Sequence, residues 1–232
     1  MMMKNMFLIR LCVEVASLLS VLVFVIAVGA ALASVDTTCG LNVLGSLDNT
    51  KVNRSRYALV YILSCTIGGA ITGLAIGVIH YVLALIPIDP YQNYLIITGL
   101  ALFLLLEIIH RTGLLPSGNF VVPSEWIYNS GYRSAALWGS ILGLGFITLQ
   151  AGVLFHAYLL LALFISPWWL SVLAGAVFGL VRASVYSFPF FRRVVYRMLD
   201  ERIYNVTLLT AIRQAVTKLL ILGAIVWMIS YS

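Results

Sequence analysis

Two apolar segments longer than a membrane crossing constrain this chain more than anything else in it. Residues 57–88 and 134–166 run for 32 and 33 positions, whereas a helix needs only about 20 to cross the ~30 Å hydrocarbon layer of a bilayer. Four further apolar runs accompany them, at about 7–34, 94–109, 170–187 and 215–230. In hydrocarbon every backbone group needs an internal partner, so only helices and closed barrels cross it. The runs are continuous rather than alternating, and helices follow. The chain is 62% hydrophobic and 9% charged, with a mean hydropathy of +1.05. A soluble domain carries about 25% charged residues, and a water-soluble globule is excluded. The expectation is an all-α, polytopic transmembrane bundle of six spans forming one integral membrane domain over residues 1–232.

The net charge of +6 reads as topology rather than as a nucleic-acid surface, because cytoplasmic loops hold the excess Lys and Arg. With both termini outside, 12 of the 14 Lys and Arg fall on the inner side, and only Lys4 and Arg10 fall outside. That places the protein in a bacterial-type plasma membrane. Lys4, Arg10 and Ala31-Leu32-Ala33 imitate a signal peptide, but Glu14 and the length of the run favour an uncleaved first helix. Arg10 and Glu14 stand at i,i+4 and can pair. Residues 35–56 read as a polar loop, and Pro123-Ser124-Glu125-Trp126 as an interfacial turn. Residues 190–203 place Phe190, Phe191, Val194, Val195, Met198 and Leu199 on one helical face, with Arg192, Arg193, Arg197 and Arg202 around the other. This is the pattern of a cytoplasmic amphipathic helix lying on an anionic inner leaflet.

The two long segments repeat at an offset of 76 residues. Gly69, Thr72 and His80 recur as Gly145, Thr148 and His156, and 10 of the 47 positions from 53 to 99 match. The repeat units are about 53–109 and 129–187. Both repeated helices run the same way, so the repeat is parallel. At ~1.5 Å per residue each would reach nearly 50 Å, so each must tilt, project or break. Gly-interrupted segments at matching positions of two halves point to a transporter's binding site, with Gly69, Thr72, His80, Gly145, Thr148 and His156 around a small solute or ion. Close packing is the stronger account of the glycines, since small residues four apart let helix backbones approach, but it explains less well why the threonine and histidine recur with them. The histidines, expected at the same depth, fit bis-imidazole ligation of haem b, proton carriage, or hydrogen bonds to neighbouring helices. No cofactor is required. Glu107, His110 and Arg111 read as an interfacial ionic cluster.

HExxH, GxSxG and Walker motifs are absent, as are paired intramembrane carboxylates, so an enzyme is not expected. Cys12, Cys39 and Cys65 form neither a metal spacing nor a disulfide framework.

The layout, together with the texture of Ala136-Leu137-Trp138-Gly139-Ser140-Ile141-Leu142-Gly143-Leu144-Gly145-Phe146-Ile147-Thr148 and Gly175-Ala176-Val177-Phe178-Gly179-Leu180-Val181-Arg182-Ala183, resembles bacterial membrane proteins of the cytochrome c biogenesis (CcdA/DsbD-like) class and their transporter relatives. The resemblance covers about 57–187. Thiol-carrying members of that class work through a cysteine in each half. Here the position 76 residues after Cys65 is Ile141, so the redox pair is missing and no site residue is carried over. The expected function is a small transporter or permease. The alternatives are a non-catalytic scaffold subunit packing against other membrane subunits, and a haem-binding electron carrier.

Overall fold

A computed structural model of the chain describes residues 19–34, 38–85, 91–116, 118, 131–147, 152–165, 167–200 and 202–230. The Arg10–Glu14 pair, the start of the first helix, the turn at 123–126 and Thr148 lie outside the described residues. Among the described residues the chain is all-α, with no strand. The helices are α1 (Leu19–Ala33), α2 (Thr38–Asp48), α3 (Arg54–Leu83), α4 (Gln92–Ile108), α5 (Tyr132–Leu144), α6 (Val153–Ile165), α7 (Trp168–Ser187), α8 (Pro189–Asp200) and α9 (Arg202–Ser230). Three stretches are long and apolar enough to cross a membrane: α3, α7 and Thr210–Ser230 of α9. The apolar helices α1, α4 and α6 are shorter.

The bundle is built around α3. Asn53 opens it, its side chain accepting the Arg56 N–H at 3.2 Å. This satisfies one of the donors that a helix start leaves free. The α7 helix runs antiparallel along α3, with Trp168 opposite Gly77, Ser171 opposite Gly73, Gly175 opposite Gly69 and Gly179 opposite Cys65. On its other flank α5 runs parallel, with Gly139 against Tyr61 and Gly143 against Cys65. A methyl group at Gly69, Gly73, Gly143, Gly175 or Gly179 would overlap a backbone carbonyl of the facing helix. The glycines therefore serve close backbone approach, as small residues spaced by four do.

The two long segments fold differently. The first is one unbroken 30-residue helix. The second stops at Leu144 and restarts at Val153, so the 76-residue offset does not carry one helical pattern into the other. Its restart, α6, packs antiparallel on α4: Gly99 faces Leu160, and the Phe103 ring lies 6.2 Å from the ring of His156. Buried side chains of α1, α4, α6 and α9 form one core with Ile76, Ala174 and Phe178. A second core joins α2 to the first half of α3, the length of α5 and the end of α7.

Two expectations need correction. Residues 35–56 are not merely a polar loop, because Thr38–Asp48 is an 11-residue helix. Val43, Leu44 and Leu47 fall on one face of it and are buried against Tyr57, Tyr61 and Tyr186. Asp36, Asp48 and Lys51 flank that short stretch and mask its pattern. The last helix also begins at Arg202 rather than near 215. The amphipathic segment ends at Asp200 and folds back on α2, where Asp48 accepts from Arg54 and from the Tyr196 hydroxyl and lies 3.9 Å from Arg192.

Candidate functional site at the helix break

Gly145 ends α5 with φ +65° and ψ −55°. The Phe146 N–H turns back to the Leu144 carbonyl at 2.6 Å, closing a γ-turn of the hand that favours glycine. A helix end leaves carbonyls without partners, and here two side chains supply them. The Thr72 hydroxyl of α3 donates to Leu144 at 3.1 Å and lies 3.3 Å from the Gly68 carbonyl of its own helix. Arg182 of α7 donates from Nη1 to the Leu142 carbonyl at 2.8 Å. Its guanidinium lies 5.7 Å from the Phe178 ring centre, and the residue is only 2% exposed. A cation at a helix C-terminus also complements the helix dipole. Arg182 is the residue at the break that sequence reading passes over as an inner-end charge. The signal was present, because it is the single charged residue between Pro167 and Phe191.

Of the six residues expected around a solute, Thr72 and Gly145 meet at this break. Gly69 sits in the seam against Gly175. His156 lies on α6, its Nε2 2.8 Å from the Pro116 carbonyl and its Nδ1 3.2 Å from that of Gly152. His80 is elsewhere: its Nδ1 is 2.6 Å from the Leu163 carbonyl, seven residues further along α6 than His156. At ~1.5 Å per residue that is about 10 Å along the helix, so the two imidazoles do not share one depth and do not face each other.

The seam itself has no room for a ligand, since backbone meets backbone along it. The space lies on the other side of the break. A cavity of about 390 Å³ opens there, its lining including Glu107, His110, Thr112, Gly152, Arg213 and Thr217. It lies where α4 ends and the antiparallel α6 begins. Glu107, read from the sequence as part of an ionic cluster with His110 and Arg111, lines this cavity. It is 6% exposed and makes no ion pair or side-chain hydrogen bond among the described residues. Gly118 is pinned to the break as well, its N–H donating to the Phe146 carbonyl at 2.8 Å. His110 borders the cavity with φ +54°, a left-handed conformation that side chains other than glycine adopt at a cost and that clusters at functional sites.

Fold and site together define, among the described residues, an all-α protein with three helices long and apolar enough to cross a membrane and a cavity bordered by Glu107 and Arg213 beside the gap between α5 and α6. Comparison with protein-family models, curated proteins and solved structures returned no match.

Proposed function

We propose that this chain is a small multi-pass membrane permease, with both termini outside, whose solute site is the cavity beside the α5–α6 break. One observation carries the reading: an interrupted helix and a buried carboxylate with no partner among the described residues border the same cavity. Broken backbone at membrane depth is tolerated where it is buried in protein or lines a polar cavity. Ionisable groups there are costly and mark substrate or ion pathways. Discontinuous helices at a midpoint site recur among transporters. The Gly-rich seam, first expected to form the site, is instead the rigid frame that holds the broken segment. α8 supports a membrane surface as partner: Phe190 is 71% exposed on it, and Arg193 and Arg197 are exposed as well.

The test uses full-length protein with Cys12 and Cys39 changed to serine, the buried Cys65 retained, and Thr217→Cys introduced. In sealed vesicles a small membrane-impermeant methanethiosulfonate is expected to modify that cysteine when added to either face. Modification from one face only would mean a one-sided pocket and would overturn the permease reading in favour of a scaffold subunit.

A further inference from the structure

Resting on the permease reading, we infer that Glu107 is a proton-binding site and that the solute moves together with a proton carried on this carboxyl. Three observations meet at the residue. It is buried, it lines the cavity, and its side chain has no hydrogen bond or ion pair among the described residues. The last turn of α4 holds it one turn beyond Phe103, whose ring packs on that of His156. An unpaired charge removed from water is costly, and ionisable groups kept in a membrane bundle mark ion pathways and proton relays. With water in the cavity, the carboxylate is solvated. With the cavity closed, the neutral acid fits the same walls, because its single O–H needs only one acceptor, of the kind Thr112 and Gln214 bring to the lining. The open and closed arrangements therefore hold the proton unequally, and a ligand shifts a conformational equilibrium by that difference in affinity.

The surroundings favour a proton over a metal ion. Among the described residues no group of three His, Cys, Asp or Glu is placed to hold a metal. A hard divalent cation takes about six oxygen ligands, whereas a proton needs one carboxylate oxygen. The charged and titratable neighbours are few. On α9, Arg213 borders the cavity but is engaged by an interaction of its own, and holding the proton asks nothing of it. Beyond the end of α4, His110 borders the cavity and is exposed. On α6, His156 turns its two ring nitrogens to the carbonyls of Pro116 and Gly152. The remaining contributions of α1 and of the start of α6, Ala33 and Gly152 to Leu154, carry no titratable side chain. Glu107 is thus the one carboxyl of the described lining.

The experiment uses the full-length Thr217→Cys protein, with Cys12 and Cys39 changed to serine, in sealed vesicles held at one pH on both sides. Methanethiosulfonate modification is timed from each face at about pH 5.5 and about pH 8.5, a span that covers shifted carboxyls and imidazoles. The ratio of the two rates cancels the pH dependence of the thiol itself. That ratio is expected to change by about threefold or more between the two pH values. Glu107→Gln keeps the shape and has no proton to lose, so it should show the low-pH ratio at both. In parallel, dicyclohexylcarbodiimide is applied and its adduct located by mass spectrometry. The neutral acid gives its proton to a carbodiimide nitrogen while its oxygen bonds the central carbon. The acylisourea so formed rearranges to a stable N-acylurea that retains the whole reagent. Labelling of Glu107 should fall as pH rises, through the same midpoint as the accessibility ratio. Should Glu107→Gln fail to fold, agreement of these two midpoints supports the inference and their separation overturns it. A ratio indifferent to pH overturns the inference and leaves the permease standing. A change that persists in Glu107→Gln assigns the proton to His110 and overturns it too. Access from one face only overturns the permease and with it the coupling, whereas pH-dependent labelling of Glu107 would still establish the proton site.

Discussion

Thr72 is the residue whose neighbours best explain its chemistry. Its hydroxyl adds a second donor to the Leu144 carbonyl at the break in α5, 72 positions away in sequence. Thr72→Val keeps the shape and removes the donor, so it is expected to destabilise the fold by about 0.5–1.5 kcal/mol, with Thr72→Ser close to the original in a detergent-unfolding titration. Equal stability of valine and serine variants would show the bond to be idle. Gly145 predicts a larger effect. A methyl group there meets the Phe155 ring as well as an unfavourable φ, and Gly145→Ala is expected to cost about 1–3 kcal/mol. The recurrence of Thr and Gly drew attention to both residues, but their partnership was not legible. It depends on where a different helix stops. For the histidines the two carbonyl contacts about 10 Å apart by helix rise predict that purified protein has no Soret band dependent on both His80 and His156. A band lost in each His→Ala variant would reverse that.

At the level of elements, what separates one glycine from another is the surface it faces. Gly175 on α7 abuts the Gly69 carbonyl, while Gly223 on α9 has nothing within 4 Å of the position a Cβ would take. Gly175→Ala should therefore force two backbones apart and cost about 1–3 kcal/mol. Gly223→Ala should instead stabilise α9 by about 0.5–1 kcal/mol through helix propensity. Similar losses from both would mean that the seam is looser than its carbonyl contacts imply. Spacing by four made the packing role readable from sequence. It could not say that α3 stays whole while its counterpart breaks, because the glycine content of the two segments is alike. The difference lies in partners: the carbonyls freed in α5 find Thr72 and Arg182, whereas those of α3 stay in an intact helix. α2 escaped notice for the opposite reason, as its three buried apolar residues are too few to stand out between charged neighbours.

Across the whole molecule, unequal helix lengths generate the site. At ~1.5 Å per residue, α3 reaches about 45 Å, but α4 and α6, with 17 and 13 residues, reach only about 25 and 20 Å. The two short helices are matched to each other, and a local hollow forms where α4 ends and α6 begins. A large hydrophobic chain makes helices easy to foresee and such a hollow hard to foresee, since the latter depends on the register between helices. The consequence is a gradient of water access along the bundle. Amides at the start of α6, around Val153 and Leu154, border the cavity. Amides of α3 around Gly69 and Gly73 are sealed between α5 and α7. Hydrogen exchange of the protein in lipid nanodiscs should then show fast exchange at 152–154 and strong protection at 68–73, despite both lying near the middle of the fold. Uniform protection at both places would mean that the cavity is dry, and a dry cavity holding an unpaired carboxylate could not serve as a solute path.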